Sequence, residues 1–184
     1  MLQATKTGVT GNHRLSHSRE ERMTLENSTS NDEIALAGLH DAADAMSTTF
    51  DYKKPQAFDS ARAAIKLAET DLLRARLVVL KTGQGENNLH YHTRSDSFWM
   101  IIRGKAAFYG PGDALIGEFG PMQGTTTPRY FRYWFKNAGE EDLEMLHVFA
   151  HAEPGKGQKT GRTDAAARKD YVPQSADSFD ATQS

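Results

Sequence analysis

The sequence predicts an all-β barrel or sandwich spanning residues 48–153, set between polar flanks. Two observations carry this reading. Between residues 72 and 150, about seven short β-compatible runs follow one another closely, each ended by Gly, Pro, Asn or Asp, a spacing that fits antiparallel sheets rather than parallel β/α units. The composition also changes at both ends: large apolar side chains are almost absent before Ile34, and after residue 153 only Tyr171, Val172 and Phe179 are sizeable.

Residues 1–47 are rich in Thr, Ser, Asn, Arg and Glu and bury too little apolar surface to offset the entropy of ordering them. They read as a disordered or weakly helical extension, dispensable for folding, with one short helix over 31–46. Asn31 would cap that helix, Asp32 and Glu33 would favour its first turn, and Ile34, Leu36, Leu39, Ala43 and Met46 would form an imperfect stripe. His13, His17 and His40 in this region read as solvated. From residue 48, Phe50, Tyr52, Pro55 and Phe58 supply anchors, and 59–67 reads as a short helix or an irregular entry.

Residues 72–81 form a strand in which Arg74 and Arg76 share one face. Strands follow at 105–109, 114–119, 122–127, 130–136 and 143–150. The turns between them carry Gly110-Pro111-Gly112-Asp113, Gly120-Pro121 and Asn137-Ala138-Gly139. Trp99, Phe108, Trp134 and Phe135 read as core. Residues 154–184 read as a mostly disordered polar tail that lays Tyr171 on the barrel.

The most informative stretch runs from Gly85 to Gly104. Turn residues lead into His90-Tyr91-His92, and an apolar run follows that Gly104 ends. In an extended strand His90 and His92 point the same way, a spacing suited to gripping one ion. Gly85, His90, His92 and Gly104 match the first motif of the cupins, which this chain resembles over a little over half its length. Pro128, Tyr130, Tyr133 and Asn137 fall on the second cupin motif, where only the proline and the asparagine keep their type. Counting forward from His92 puts Asp96 at the family's glutamate position, and counting back from Gly104 puts Ser97 there; the spacing leaves both open. Tyr133 stands where the family has its third histidine. His147 can replace that histidine if Leu143, Met145 and Phe149 also face inward, and lies outside if Leu146 and Val148 do.

Composition excludes several function classes. A net charge of -2 without a basic cluster leaves no electrostatic footprint for nucleic acid. The absence of cysteine removes disulfides, thiolate nucleophiles and zinc-thiolate sites. No apolar run approaches the ~20 residues that span a bilayer, and residues 1–23 lack the apolar centre of a secretory signal, so a cytoplasmic protein is the expectation.

The resemblance implies a double-stranded β-helix, pairing as a homodimer through barrel edges, and a pocket inside the barrel for a small-molecule substrate. The leading expectation is a divalent-metal enzyme, a non-haem iron dioxygenase, with Mn, Ni or Zn as other candidate ions. His90, His92 and Asp96 would form a two-histidine, one-carboxylate face, His147 is a replacement ligand, and Tyr133 and Arg132 would contact substrate. The alternatives are a metal-free isomerase or epimerase of a sugar-like substrate, with His90 or His92 as base and Tyr133 as acid, and a non-catalytic binding barrel.

Overall fold

Alternation of buried and exposed side chains along one central strand sets the architecture. In β5 (Ser95–Arg103) Ser95, Ser97, Trp99 and Ile101 are buried, whereas Asp96 and Phe98 are exposed, as a sheet with one face on a core requires. The computed structural model describes residues 18–155, 159–166, 168 and 171–183. His13 and His17 lie outside these residues.

The chain divides into two units, Met1–Ser47 and Thr48–Ser184. In the first, α1 (Arg19–Met46) runs for 28 residues, beginning well before the helix expected at Asn31. Asn31 therefore sits inside the helix, and Ile34, Leu36 and Leu39 are exposed.

Among its described residues the second unit holds thirteen strands. Besides β5 they are β1 (Thr49–Phe50), β2 (Arg62–Glu69), β3 (Leu73–Leu80), β4 (Leu89–His92), β6 (Ala106–Tyr109), β7 (Leu115–Phe119), β8 (Gly124–Thr127), β9 (Trp134–Asn137), β10 (Leu143–His151), β11 (Arg162–Ala166), β12 (Ala176–Asp180) and β13 (Thr182–Gln183). One sheet has the order β12-β2-β3-β10-β5-β8. Facing it are β7-β6-β9 and β11-β4, which a His90–Tyr133 bridge brings together. Val78, Leu80, Trp99, Ile101, Leu143 and Met145 from the first layer pack on Ala106, Phe108, Tyr133 and Phe135 from the second. On the other face of the large sheet, Ile65, Leu67, Leu77 and Val79 are covered by Tyr52, Phe58 and Ala181.

Two segments differ from their sequence expectations. Residues 59–67, expected as a helix or irregular entry, belong to β2: Ala63, Ile65 and Leu67 alternate with Arg62, Ala64 and Lys66, and this period of two outweighs the helical propensity of the alanines. The expected polar tail supplies β11, β12 and β13. Its apolar content is low because these short strands lie at sheet edges and are held by backbone pairing, β12 running parallel to β2 and β11 antiparallel to β4. Asp177 fastens the segment further by accepting from Ser60 Oγ and from the Asp59 and Ser60 amides. Tyr171 is half-buried.

Backbone geometry explains two motif positions. Gly104 turns β5 into β6 at φ +82, and a Cβ there would sit 3.1 Å from the Asp142 carbonyl oxygen. Tyr130 occupies the glycine position of the second motif and keeps the left-handed backbone, φ +65, with its ring exposed. Where β8 crosses β5, a Cβ on Gly124 would overlap the Trp99 carbonyl oxygen. We expect Gly124→Ala to destabilise the barrel by about 3 kcal/mol, because backbone must move, and Tyr130→Gly to stay within about 1 kcal/mol of the parent despite losing a ring. Urea unfolding curves of the two variants check both.

Candidate functional site

The site follows from strand register. β10 lies between β3 and β5, and the pairing sets His147 directly opposite Arg76 on one side and Trp99 on the other. Cross-strand neighbours on one face are close enough to touch. The His147 imidazole stacks on the Trp99 indole, 3.4 Å between centroids, and its Nδ1 accepts from Arg76 Nε and Nη2 at 3.4 and 3.3 Å. His147 therefore faces inward with Leu143, Met145 and Phe149, all buried. That bond leaves the His147 proton on Nε2, a buried atom with no partner among the described residues.

Across the interior, β4 presents His90 and His92. His90 and Tyr133 exchange backbone hydrogen bonds of 3.1 and 2.9 Å, which place their rings 4.5 Å apart. The His92 ring lies 5.2 Å from that of His90. His90 Nδ1–H donates to the Asn88 carbonyl oxygen at 2.8 Å, so the lone pair rests on Nε2. Asn87 accepts from the Phe135 amide at 2.8 Å and holds the loop before β4. Between the two layers is a cavity of about 220 Å³, lined by Arg76, His90, His92, Trp99, Tyr133 and His147 among others.

Burial sets the protonation states. It pushes His90 down to about 3, with help from the nearby Arg162 charge, and His92 down to about 4, with help from Arg162 and Arg76. His147 lies well below the ordinary imidazole range through burial and Arg76. Burial raises Tyr133, keeping its phenol protonated, and lowers Arg76 to about 10, still cationic at neutral pH.

The sequence candidates separate clearly. His90, His92, Tyr133 and His147 line the cavity. Asp96 does not: strand alternation turns it to solvent, where it accepts from the Arg129 amide at 2.8 Å and pairs with Arg129 Nε at 3.4 Å. Ser97 takes the inward position, so the family's carboxylate slot is a buried hydroxyl. Arg132 is exposed on the segment before β9 and is not part of the cavity wall. Sequence reasoning missed Arg76, Arg62 and Arg162 as cavity residues. Parity held the clue for Arg76, which shares its strand face with Val78 and Leu80. Nothing in the polar 154–184 composition pointed to Arg162.

The donor set does not fit a resident divalent cation. Among the described residues no three His, Cys, Asp or Glu side chains converge as a metal site. The cavity wall contributes imidazoles and a phenol, no carboxylate, and the guanidinium groups of Arg62, Arg76 and Arg162, which repel a cation. His147 Nδ1 is already engaged by Arg76.

No family model and no curated protein matches the sequence. Solved structures do resemble the chain. KdgF from Halomonas sp. aligns at 19% identity over 57% of this chain and 94% of that one, with a TM-score of 0.50. A Klebsiella pneumoniae protein with a double-stranded β-helix domain aligns at 19% identity over 64% and 92% of the two chains, TM-score 0.49. An RmlC-like cupin family protein from Methanocaldococcus jannaschii aligns at 19% over 58% and 93%, TM-score 0.48. At such identities the likeness bears on the fold alone. No helix among the described residues is long and apolar enough to cross a membrane.

Two outcomes follow. After loading with iron, manganese, nickel or zinc and dialysis, elemental analysis is expected to find well under one ion per chain; a stoichiometric ion lost in His90→Ala/His92→Ala would reverse the assignment. Stability is also expected to fall between pH 7 and pH 5. The folded pKa values of His90 and His92 are depressed, so below about 6.5 the unfolded chain binds protons that the folded one refuses, and each histidine then removes roughly 2 kcal/mol by pH 5. Asp142, Asp177 and Asp180, whose pKa values are lowered, act only below that window. Urea unfolding at pH 7 and pH 5 measures the difference, which should shrink in His90→Gln.

Proposed function

We propose that this cupin-fold protein is a metal-independent enzyme that moves a proton on a small organic substrate held in the barrel cavity, an isomerase or epimerase by reaction class. The observation that carries it is the hydrogen bonding of His90. Its Nδ1–H is committed to the Asn88 carbonyl, so Nε2 carries a lone pair on a ring that lines the cavity beside Tyr133. At neutral pH the imidazole is unprotonated and the phenol protonated, the states from which a base and an acid start.

Nε2 takes the proton from a carbon next to a carbonyl, and the C–H electron pair moves onto the carbonyl oxygen as the enolate forms. The Tyr133 hydroxyl, buried beside the Thr127 and Trp99 side chains, donates to that oxygen. Where the deprotonated carbon bears a hydroxyl the intermediate is an enediol: His90 returns its proton to the former carbonyl carbon, the hydroxyl proton replaces the one Tyr133 gave, and the carbonyl has moved by one carbon with no net change in protons. No oxidant is consumed. The iron dioxygenase expected from the motif draws no support from a donor set lacking a carboxylate.

The test is exchange of carbon-bound hydrogen in D2O, read by proton NMR on a panel of small 2-oxo acids and keto-sugars. Catalysed exchange is expected for at least one class, reduced at least about 100-fold in His90→Gln and about 100-fold in Tyr133→Phe. Background exchange across the whole panel, or full exchange in His90→Gln, sinks the proposal and leaves a binding barrel.

A further inference from the structure

Arg76 lies on the cavity face of β3, packed against Phe149 with its guanidinium carbon 4.9 Å above the ring. Its hydrogen-bond partner is His147 Nδ1, and no carboxylate of the described residues lies within ion-pair distance. The contrast with its neighbours is sharp: Arg74 pairs with Glu69, Lys66 with Asp180, and Arg162 with Asp164 at 2.8 Å. The cavity wall contains neither Asp nor Glu, and Arg62, a second wall cation, also has no ion pair among the described residues. A cation withdrawn from water without a counter-charge is costly, so a site that keeps one is built for an anion.

We propose that the cavity takes a small organic carboxylate, its head group held by the Arg76 fork and its apolar body against Trp99, Val78 and Phe135. This rests on the reading that the cavity is the substrate site, and it names the substrate class. Guanidinium meets carboxylate through two parallel N–H donors. The remaining donors at hand are neutral and buried: Tyr133 Oη and Trp99 Nε1, which lie beside each other, and His147 Nε2, which has no partner among the described residues. At about 220 Å³ the cavity is smaller than the pockets that hold drug-sized ligands, which limits the body to a few carbons.

The approach is cationic too. A second hollow of about 450 Å³ shares Arg76, His92 and Arg162 with the cavity and adds Arg74 and Lys159. A carboxylate on Arg76 also offsets the positive field that weakens His92 as a base, so substrate binding and proton transfer reinforce each other.

Calorimetric titration with propionate and pyruvate, with propionamide as the neutral isostere and inorganic phosphate as the alternative anion, tests the proposal. The carboxylates should bind one per chain, and affinity should fall at least tenfold in Arg76→Gln and less in Arg76→Lys. Propionamide and phosphate should bind at least tenfold more weakly than propionate. Arg132→Gln, on the surface, should bind as the parent does. If Arg76→Gln does not fold, the thermal shift of the unaltered protein by propionate against propionamide carries the test. Equal binding of propionamide or phosphate, or undiminished carboxylate binding in Arg76→Gln, overturns the assignment. The two proposals fail separately. Carboxylate binding without deuterium exchange defeats the proton-transfer reading alone, whereas exchange of a neutral keto-sugar that is indifferent to Arg76→Gln defeats the carboxylate assignment alone.

Discussion

Three adjacent strands hold Arg76, His147 and Trp99 in one row, and the interior is arranged around that contact. The indole fixes the imidazole plane by stacking, and the guanidinium fixes its tautomer by donating to Nδ1. Below the row the barrel is apolar, with Val78, Leu80, Ile101, Leu143 and Met145 facing Phe108 and Phe135. Beside it lies the polar cavity. A one-residue slip of β10 would carry His147 to the outer face and bring Leu146 or Val148 in its place, so the site and the core share one register.

The antiparallel barrel was legible because its strands are short and closely spaced, β5 alternates cleanly and the turns carry Gly, Pro and Asn. The motif around Gly85 to Gly104 located the cavity, and Gly104 has the left-handed backbone that its position demands. What stayed hidden has physical reasons. Alanine-rich β2 resembles a helix in propensity, and β11 to β13 are polar edge strands that pair through their backbones, which composition does not reveal. His147 was ambiguous because both faces of β10 are apolar: the large sheet is covered on its outer side by Tyr52 and Phe58, so Leu146 is sheltered as well.

The departures from the cupin motifs acquire a common meaning once placed in the fold. Ser97 replaces a carboxylate and Tyr133 an imidazole, while Arg76 adds a positive charge next to them. The three leave the cavity wall with positive charge and no carboxylate. The scaffold tolerates this because the barrel is held by its apolar floor and backbone ladders rather than by the polar groups above. Tyr130 shows the same separation: a position that favours glycine keeps its backbone conformation under a different side chain, at the expense of local strain.

Part of the cavity wall, Arg162 and Ala176, comes from strands that follow all the others enclosing it, and β12 reaches back to lie parallel beside β2, the second strand of the unit. On a ribosome the barrel can begin to collapse on its apolar floor while these segments are still unmade. Such distant parallel pairing is slow to form. The cavity would thus be completed last, and a chain released before residue 176 would resemble the finished barrel in much of its core while lacking part of the enclosure for a ligand.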